Sequence, residues 1–368
     1  MNSGSRLDPR ELAYGFTEFE ALSPADRANA ARYSTGRIGL AEQARTIIML
    51  GRPRTCIPGV ICYALGYTLV SSRISWYYCF GIFMVLVAGL LANLYNVCTD
   101  LQEDSSNLPG RVWLVVGMGY QRLRLATLIL SAVVICAALA YSVSYAFFAA
   151  AVLVGVHQYS FPPLRLKARP GIDLLAFSLA VYGPFLLGYF GAKRAVPAPS
   201  TAAWLWVGFL VLWFAAKCLT KNIPDYAGDR DAGLRTSVTL FPSQRAAAIA
   251  AAAATLAAYA SLPLFVVLGA APLRVLAAIP WTAVAVVNSL SLITRSADRR
   301  QANLILKRDM WLSTAFIITV LLLSSPSWLS LIAIGFGAVV LACSDIFSLD
   351  SRRVSDVSGS EGTERSSQ

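Results

Sequence analysis

Apolar runs of about twenty residues, repeated along most of the chain, leave it few ways to fold. Each run can cross the hydrocarbon layer of a bilayer as a helix. Where no water reaches, only helices and closed barrels satisfy every backbone N–H and C=O. Candidate spans lie at about 56–71, 76–98, 123–143, 145–158, 174–192, 203–221, 244–268, 274–293, 310–324 and 328–346, and the last two are short enough to be one broken element. A soluble core could not hide this much apolar surface. Of 368 residues, 57% are hydrophobic and 14% charged, against about 25% charged in an average soluble domain. The expected fold is all-α: a polytopic membrane helical bundle held in a lipid bilayer.

The flanks differ in character. Residues 1–50 are polar and read as a cytoplasmic N-terminal region with short amphipathic helices. Ser23-Pro24-Ala25-Asp26 supplies an N-cap, a proline at the first helical position and an acid at the third, opening a helix to about Tyr33. Leu40, Ala44, Ile47 and Ile48 fall on one helical face, which suits an interfacial helix or an ordinary surface one. This region has no apolar core of the secretory-signal kind. Residues 348–368 are rich in Ser, Glu and Arg without periodicity and read as a disordered tail.

The net charge of +11 belongs to loops and tails, so it is no nucleic-acid footprint. Loops after the even-numbered spans hold fifteen Lys or Arg residues and the opposite loops four (Arg73, Lys193, Arg194 and Arg274). By the positive-inside rule the even loops and the N-terminus are cytoplasmic. Trp76, Tyr77, Trp204, Trp206, Trp311 and Trp328 sit near span ends, as an interfacial aromatic belt requires. The seven cysteines are scattered without metal-ligand spacing and read as small buried hydrophobes. The single histidine, His157, reads as a polar residue at a span end.

Acids are scarce, and their placement is therefore informative. Between residues 55 and 347 there are ten, and six fall in two short stretches: Asp100, Glu103 and Asp104, then Asp225, Asp229 and Asp231. Acids at the ends of membrane helices are costly unless paired or bound to metal. Asn96, Asp100 and Asp104 are spaced four apart and share one helical face, and Asp225 and Asp229 repeat that spacing. Two oxygen-rich clusters suit Mg²⁺, which binds through a few carboxylates together with substrate phosphates. Arg111, Arg165, Lys167 and Lys221 can supply cations to the same phosphates, although each also fits the positive-inside bias. Either acid stretch alone could be a solvated acidic loop; both on one side of an acid-poor chain point to a site.

The motifs resemble a known superfamily. N-x-x-x-D-x-x-x-D at Asn96–Asp104, Pro109-Gly110-Arg111 after it, and D-x-x-x-D at Asp225–Asp229 resemble the UbiA-type intramembrane prenyltransferases. The stretch from Tyr159 to Lys167, Y-S-F-P-P-L-R-L-K, is similar to that of the chlorophyll-synthase branch. Lys221 to Asp229 is similar to the K-D-x-P-D-x-x-G-D of homogentisate-type members, with Asn222 where that branch has aspartate. The resemblance covers about residues 45–325 and implies a nine-helix core, a tenth span being extra, within a transmembrane prenyltransferase-like domain over 51–347. It implies that Asn96, Asp100, Asp104, Asp225 and Asp229 hold magnesium on a prenyl diphosphate. Tyr159, Arg165, Lys167 and Lys221 match positions expected to grip the diphosphate, with Arg111 beside the first acid stretch.

The implied activity is Mg²⁺-dependent transfer of a prenyl group from an allylic prenyl diphosphate to a lipophilic acceptor: a quinone precursor, a tetrapyrrole acid or a carotenoid end. Metal ions and fixed cations stabilise the departing diphosphate, while apolar surroundings keep water from the carbocation. No residue of the motifs presents itself as the base that takes the final proton. The alternative is a UbiA-type membrane terpene cyclase, in which the cation closes on its own chain. A transporter or lipid-binding scaffold would leave both acid clusters unexplained.

Overall fold

Helix follows helix along the chain because each apolar run has to bond its own backbone. The computed structural model describes residues 15–231, 233–296 and 299–351. The expected disordered tail lies, from residue 352 on, outside the described residues. The helices are α1 (Phe16–Ala21), α2 (Pro24–Arg32), α3 (Leu40–Gly51), α4 (Ile57–Thr68), α5 (Trp76–Thr99), α6 (Leu101–Asn107), α7 (Pro109–Met118), α8 (Tyr120–Leu139), α9 (Val143–Ser160), α10 (Ile172–Lys193), α11 (Thr201–Asn222), α12 (Tyr226–Asp231), α13 (Gln244–Ala260), α14 (Leu262–Val267), α15 (Pro280–Arg295), α16 (Arg299–Ser324) and α17 (Trp328–Ile346). Among the described residues there is no strand.

Eight of these stretches are long and apolar enough to cross a membrane: α5, α8, α9, α10, α11, α13 with α14, the 3-10 turn at Leu273–Ala278 with α15, and α17. The other two predicted spans are helical too. The run at 56–71 forms α4, only 12 residues long and preceded by a 3-10 turn at Pro53–Cys56. The run at 310–324 is the apolar part of the 26-residue α16, whose first half carries Lys307, Arg308 and Asp309.

The chain divides into two compact units. The first comprises residues 1–53, 90–130 and 343–368, the second 54–89 and 131–342. In the first, Ser23 caps α2 as expected, its hydroxyl accepting from the Asp26 amide at 3.2 Å. Arg27 then fixes the N-terminal helices to α6: its guanidinium donates to the carbonyls of Ser105 (2.6 Å), Glu20 (2.7 Å) and Leu22 (2.9 Å). Phe19 of α1 packs on Trp113 of α7 at 5.1 Å between ring centroids. The N-terminal region is thus part of the packing around the first acid stretch.

In the second unit α10 packs against α4, α9 and α11, and α13 packs against α11 and α15. The α4–α10 contact is backbone on backbone. A Cβ placed on Gly66 would collide with the Phe185 carbonyl, and one on Gly188 with the Tyr63 carbonyl. Lipid offers no hydrophobic drive between helices, so small residues that admit close approach carry such contacts. Tyr63 and Tyr78, fully buried, fill the space beside them, and Tyr78 donates to the Leu329 carbonyl at 2.5 Å.

The aromatic belt is only partly as expected. Trp76, Trp204 and Trp328 are exposed near helix ends, and Trp311 is exposed in the middle of α16. Trp206 is fully buried instead and donates its indole N–H to the Ala270 carbonyl at 2.9 Å. Two positions separate Trp204 from Trp206, about 200° around a helix, so the two residues cannot share a face.

Gly188→Ala should lower thermal stability in detergent by about 1–3 kcal/mol through overpacking. Gly208→Ala, where a Cβ meets nothing within 4 Å, should be neutral. Equal melting temperatures for the two variants would contradict the backbone contact.

Candidate active site

The sequence-derived residues fall into one group in each unit. In the first unit, α5 ends at Thr99 and α6 begins at Leu101, so Asp100 is the break between them, with φ −98° and ψ 19°. The helical spacing survives this break. The Asp100 amide donates to the Asn96 carbonyl at 2.8 Å, and the Asp104 amide donates to the Asp100 carbonyl at 2.7 Å. The expected shared face of Asn96, Asp100 and Asp104 is therefore kept by backbone bonds.

The three side chains have unlike environments. Asn96 and Asp100 are half-buried, and Asp100 Oδ1 accepts from the Thr99 hydroxyl at 2.7 Å. Asp104 is buried, and Arg111 of α7 donates to its Oδ2 at 2.9 Å. Arg111 is buried as well; it also reaches the Asn93 carbonyl at 3.4 Å, and its Nε makes no hydrogen bond among the described residues. The sequence offered Asp104 and Arg111 as separate ligands for metal and phosphate. The structure joins them as an ion pair.

In the second unit, Asp225 lies in the break between α11 and α12, and Asp229 in the first turn of α12. Asp225 and Asp229 are half-buried, and the Asp229 amide donates to the Asp225 carbonyl at 2.8 Å. Beneath this turn lies an apolar cluster that includes Leu219, Ile223, Tyr226 and Val238. Gln244 donates to the Ile223 carbonyl at 2.9 Å and steadies the same turn. The loop that follows is anchored by Asp173 in the first turn of α10, fully buried, which accepts from the Ser237 amide at 2.8 Å and from the Ser237 hydroxyl.

Tyr159 and Lys221 meet around one ring. The Lys221 ammonium lies 5.0 Å from the centroid of Phe177, and the Tyr159 ring is 6.4 Å from the same residue. Arg165 adopts a left-handed backbone, φ 41° and ψ 58°, directly before the 3-10 turn Leu166–Ala168 that carries Lys167. Arg165 and Lys167 are half-buried. His157 stacks on Phe161 at 4.3 Å, as a residue that orders the start of this loop.

Oxygen donors in this pattern fit a hard divalent ion. Among the described residues no three His, Cys, Asp or Glu side chains converge on a point, so an all-protein metal cage is not formed. Mg²⁺ needs none, since it keeps waters and takes one or two carboxylates plus phosphate oxygens. Asp100 in the first unit, and Asp225 with Asp229 in the second, could each serve in that way.

Sequence reading missed a second buried ion pair. Lys217 of α11 donates to Asp309 Oδ1 of α16 at 2.6 Å, and both side chains are buried. The signal was present: a lysine within an apolar span and an acid at the edge of another, which lipid obliges to find partners.

The profile of the UbiA prenyltransferase family matches residues 55–315. The chain belongs to that family. UbiA-type membership makes it a prenyl-transferring enzyme. A lycopene elongase/hydratase of Corynebacterium glutamicum is 28% identical over 212 residues, covering 56% of this chain and 72% of the relative. A lycopene elongase/hydratase of Haloarcula japonica is 36% identical over 85 residues, 22% of this chain and 26% of the relative. Among solved structures, a UbiA homolog from Archaeoglobus fulgidus bound to GPP and Mg²⁺ aligns with TM-score 0.53 and 16% identity, over 74% of this chain and 99% of that one. A digeranylgeranylglyceryl phosphate synthase aligns with TM-score 0.55 and 17% identity, over 77% of this chain and 99% of that one. At such identities the structural likeness shows the UbiA fold alone.

The two acids of the first stretch should behave differently on substitution. Asp104→Asn leaves the Arg111 charge buried without a counter-ion and should destabilise the protein by about 3–5 kcal/mol. Asp100→Asn weakens one half-buried hydrogen bond, worth about 1 kcal/mol. Thermal unfolding in detergent separates them; equal losses would mean that the Asp104–Arg111 pair contributes nothing to the fold.

Proposed function

We propose that the protein transfers a prenyl group from an allylic prenyl diphosphate to a lipophilic acceptor within the membrane, with Mg²⁺ held through Asn96, Asp100, Asp104, Asp225 and Asp229. The observation that carries this reading is the recurrence, in a UbiA-family chain poor in acids, of two oxygen-donor turns at helix breaks. Bound Mg²⁺ supplies the positive charge that stabilises the departing diphosphate. Tyr159, Arg165, Lys167 and Lys221 add fixed donors and cations around the same oxygens, and Arg111 has an unpartnered Nε–H to offer.

The Asp104–Arg111 pair suits such a site. Without substrate the two charges neutralise each other in a buried place. A diphosphate with its metal would bring the opposite partner for each. The apolar spans exclude the water that would quench an allylic cation. The excess of positive residues in the even loops supports a cytoplasmic N-terminus and cytoplasmic acid stretches.

For the acceptor, we favour the end of a carotenoid chain of the lycopene kind. Such a molecule dissolves in the bilayer and offers a nucleophilic double bond at its tip. Lycopene elongase/hydratases of bacteria and haloarchaea are the relatives that support this choice.

Liposomes containing the protein, lycopene and labelled dimethylallyl diphosphate should form a prenylated lycopene with Mg²⁺ and none in EDTA. Label that stays in a cyclised hydrocarbon made without lycopene would overturn transfer in favour of cyclisation. Full turnover in EDTA would remove the metal.

A further inference from the structure

The face of α11 that carries Lys221 continues inward. Residues 209, 213, 217 and 221 are four apart and line one side of the helix. Lys217 therefore lies one turn, about 5.4 Å, deeper in the span than Lys221. Phe209 and Trp213 beyond it are fully buried. Aromatic contacts run the same way without a gap: Phe177 to Phe214 at 4.9 Å, Phe214 to Trp213 at 5.5 Å, Trp213 to Phe316 at 5.7 Å and Phe316 to Tyr259 at 4.5 Å.

At this depth the chain places an ion pair and an idle donor. Lys217 Nζ sits 2.6 Å from Asp309 Oδ1 and 5.2 Å from the Tyr259 ring centroid. The ammonium engages Oδ1 and leaves Oδ2 outside the pair. Among the described residues, the Trp213 indole N–H makes no hydrogen bond although its side chain is fully buried, and the buried Tyr259 side chain interacts with the Lys217 ammonium. Replacing a buried ion pair by apolar side chains of the same volume is often neutral or stabilising, and an orphaned buried donor is a net cost to the fold. Packing alone would have favoured leucines here.

We propose that Asp309 is the proton acceptor of the transfer reaction and that Lys217 is its positioning residue, holding the carboxylate in place. This rests on the prenyl-transfer reading above. The allylic C–O bond breaks and its electron pair leaves with the diphosphate. The π pair of the acceptor alkene forms the new C–C bond, which leaves a tertiary carbocation on the acceptor. Asp309 Oδ2 takes a proton from the carbon next to that cation, and the C–H pair becomes the new double bond. The faces of Trp213, Phe316 and Tyr259 stabilise the cation until the proton leaves, as aromatic quadrupoles do for any cation.

Two variants test this: Asp309→Asn, and the double variant Lys217→Met with Asp309→Leu, which replaces the pair by apolar groups and restores packing. Both are assayed with Mg²⁺, dimethylallyl diphosphate and lycopene in liposomes. Mg²⁺-dependent diphosphate release should continue in both, with dimethylallyl alcohol appearing, while prenylated lycopene falls by about 100-fold or more, the contribution of a general base. Recovery of near-normal prenylation in the double variant would make the pair structural and overturn the proposal. So would undiminished prenylation in Asp309→Asn, or loss of the folded state in both variants. Failure of the underlying reading shows elsewhere: the wild-type protein would then release no diphosphate with Mg²⁺, or release it without prenylating lycopene.

Discussion

A charge in the hydrocarbon layer costs about 2.5–3.5 kcal/mol at the helix centre even when it snorkels, and much of this fold follows from how that cost is met. Within the second unit, Lys217 and Asp309 neutralise each other between α11 and α16. Within the first, Asp104 and Arg111 do so between α6 and α7. Arg274, on the side poor in positive residues, donates to the carbonyls of Leu323 and Ser324 and so meets the unsatisfied C-terminal end of α16.

The same constraint explains the helix breaks that carry the acids. A carboxylate in mid-span needs a built partner, whereas one at a break stays half-buried and open to exchange. Asp100 and Asp225 occupy such positions, and Asp229 lies in the first turn of α12, half-buried as well. Their turns are rigid nonetheless, since each is held by backbone bonds and rests on packed apolar side chains. Ser237 on Asp173 and Gln244 on Ile223 order the second stretch from below.

Much of this was legible in the residues. Span positions follow from hydropathy because lipid permits nothing else, and the Ser23 cap follows from the local bonding of α2. The acid stretches stood out because acids are scarce. What stayed hidden depended on contacts between distant residues. Trp206 resembles a belt residue in sequence, and only the Ala270 carbonyl beside it makes it core. The run at 56–71 looks like an ordinary span, but Gly66 against α10 and the brevity of α4 make it a buried core helix. Arg111 was offered to a phosphate and Asp104 to a metal, because nothing in a one-dimensional pattern says that the two touch. Lys217 and Asp309 lie ninety-two positions apart, and neither belongs to a motif.

We propose that both acid stretches serve one diphosphate from the cytoplasmic side. This is tested most directly by single cysteines at Ser106 and Ala227, both exposed, in a protein whose Cys79, Cys136 and Cys343 are serines. A membrane-impermeant maleimide should label each from the cytoplasmic side only, and Mg²⁺ with a non-ionisable thiolodiphosphate analogue should slow labelling at both. Labelling of the two from opposite sides, or protection at one alone, would contradict the account.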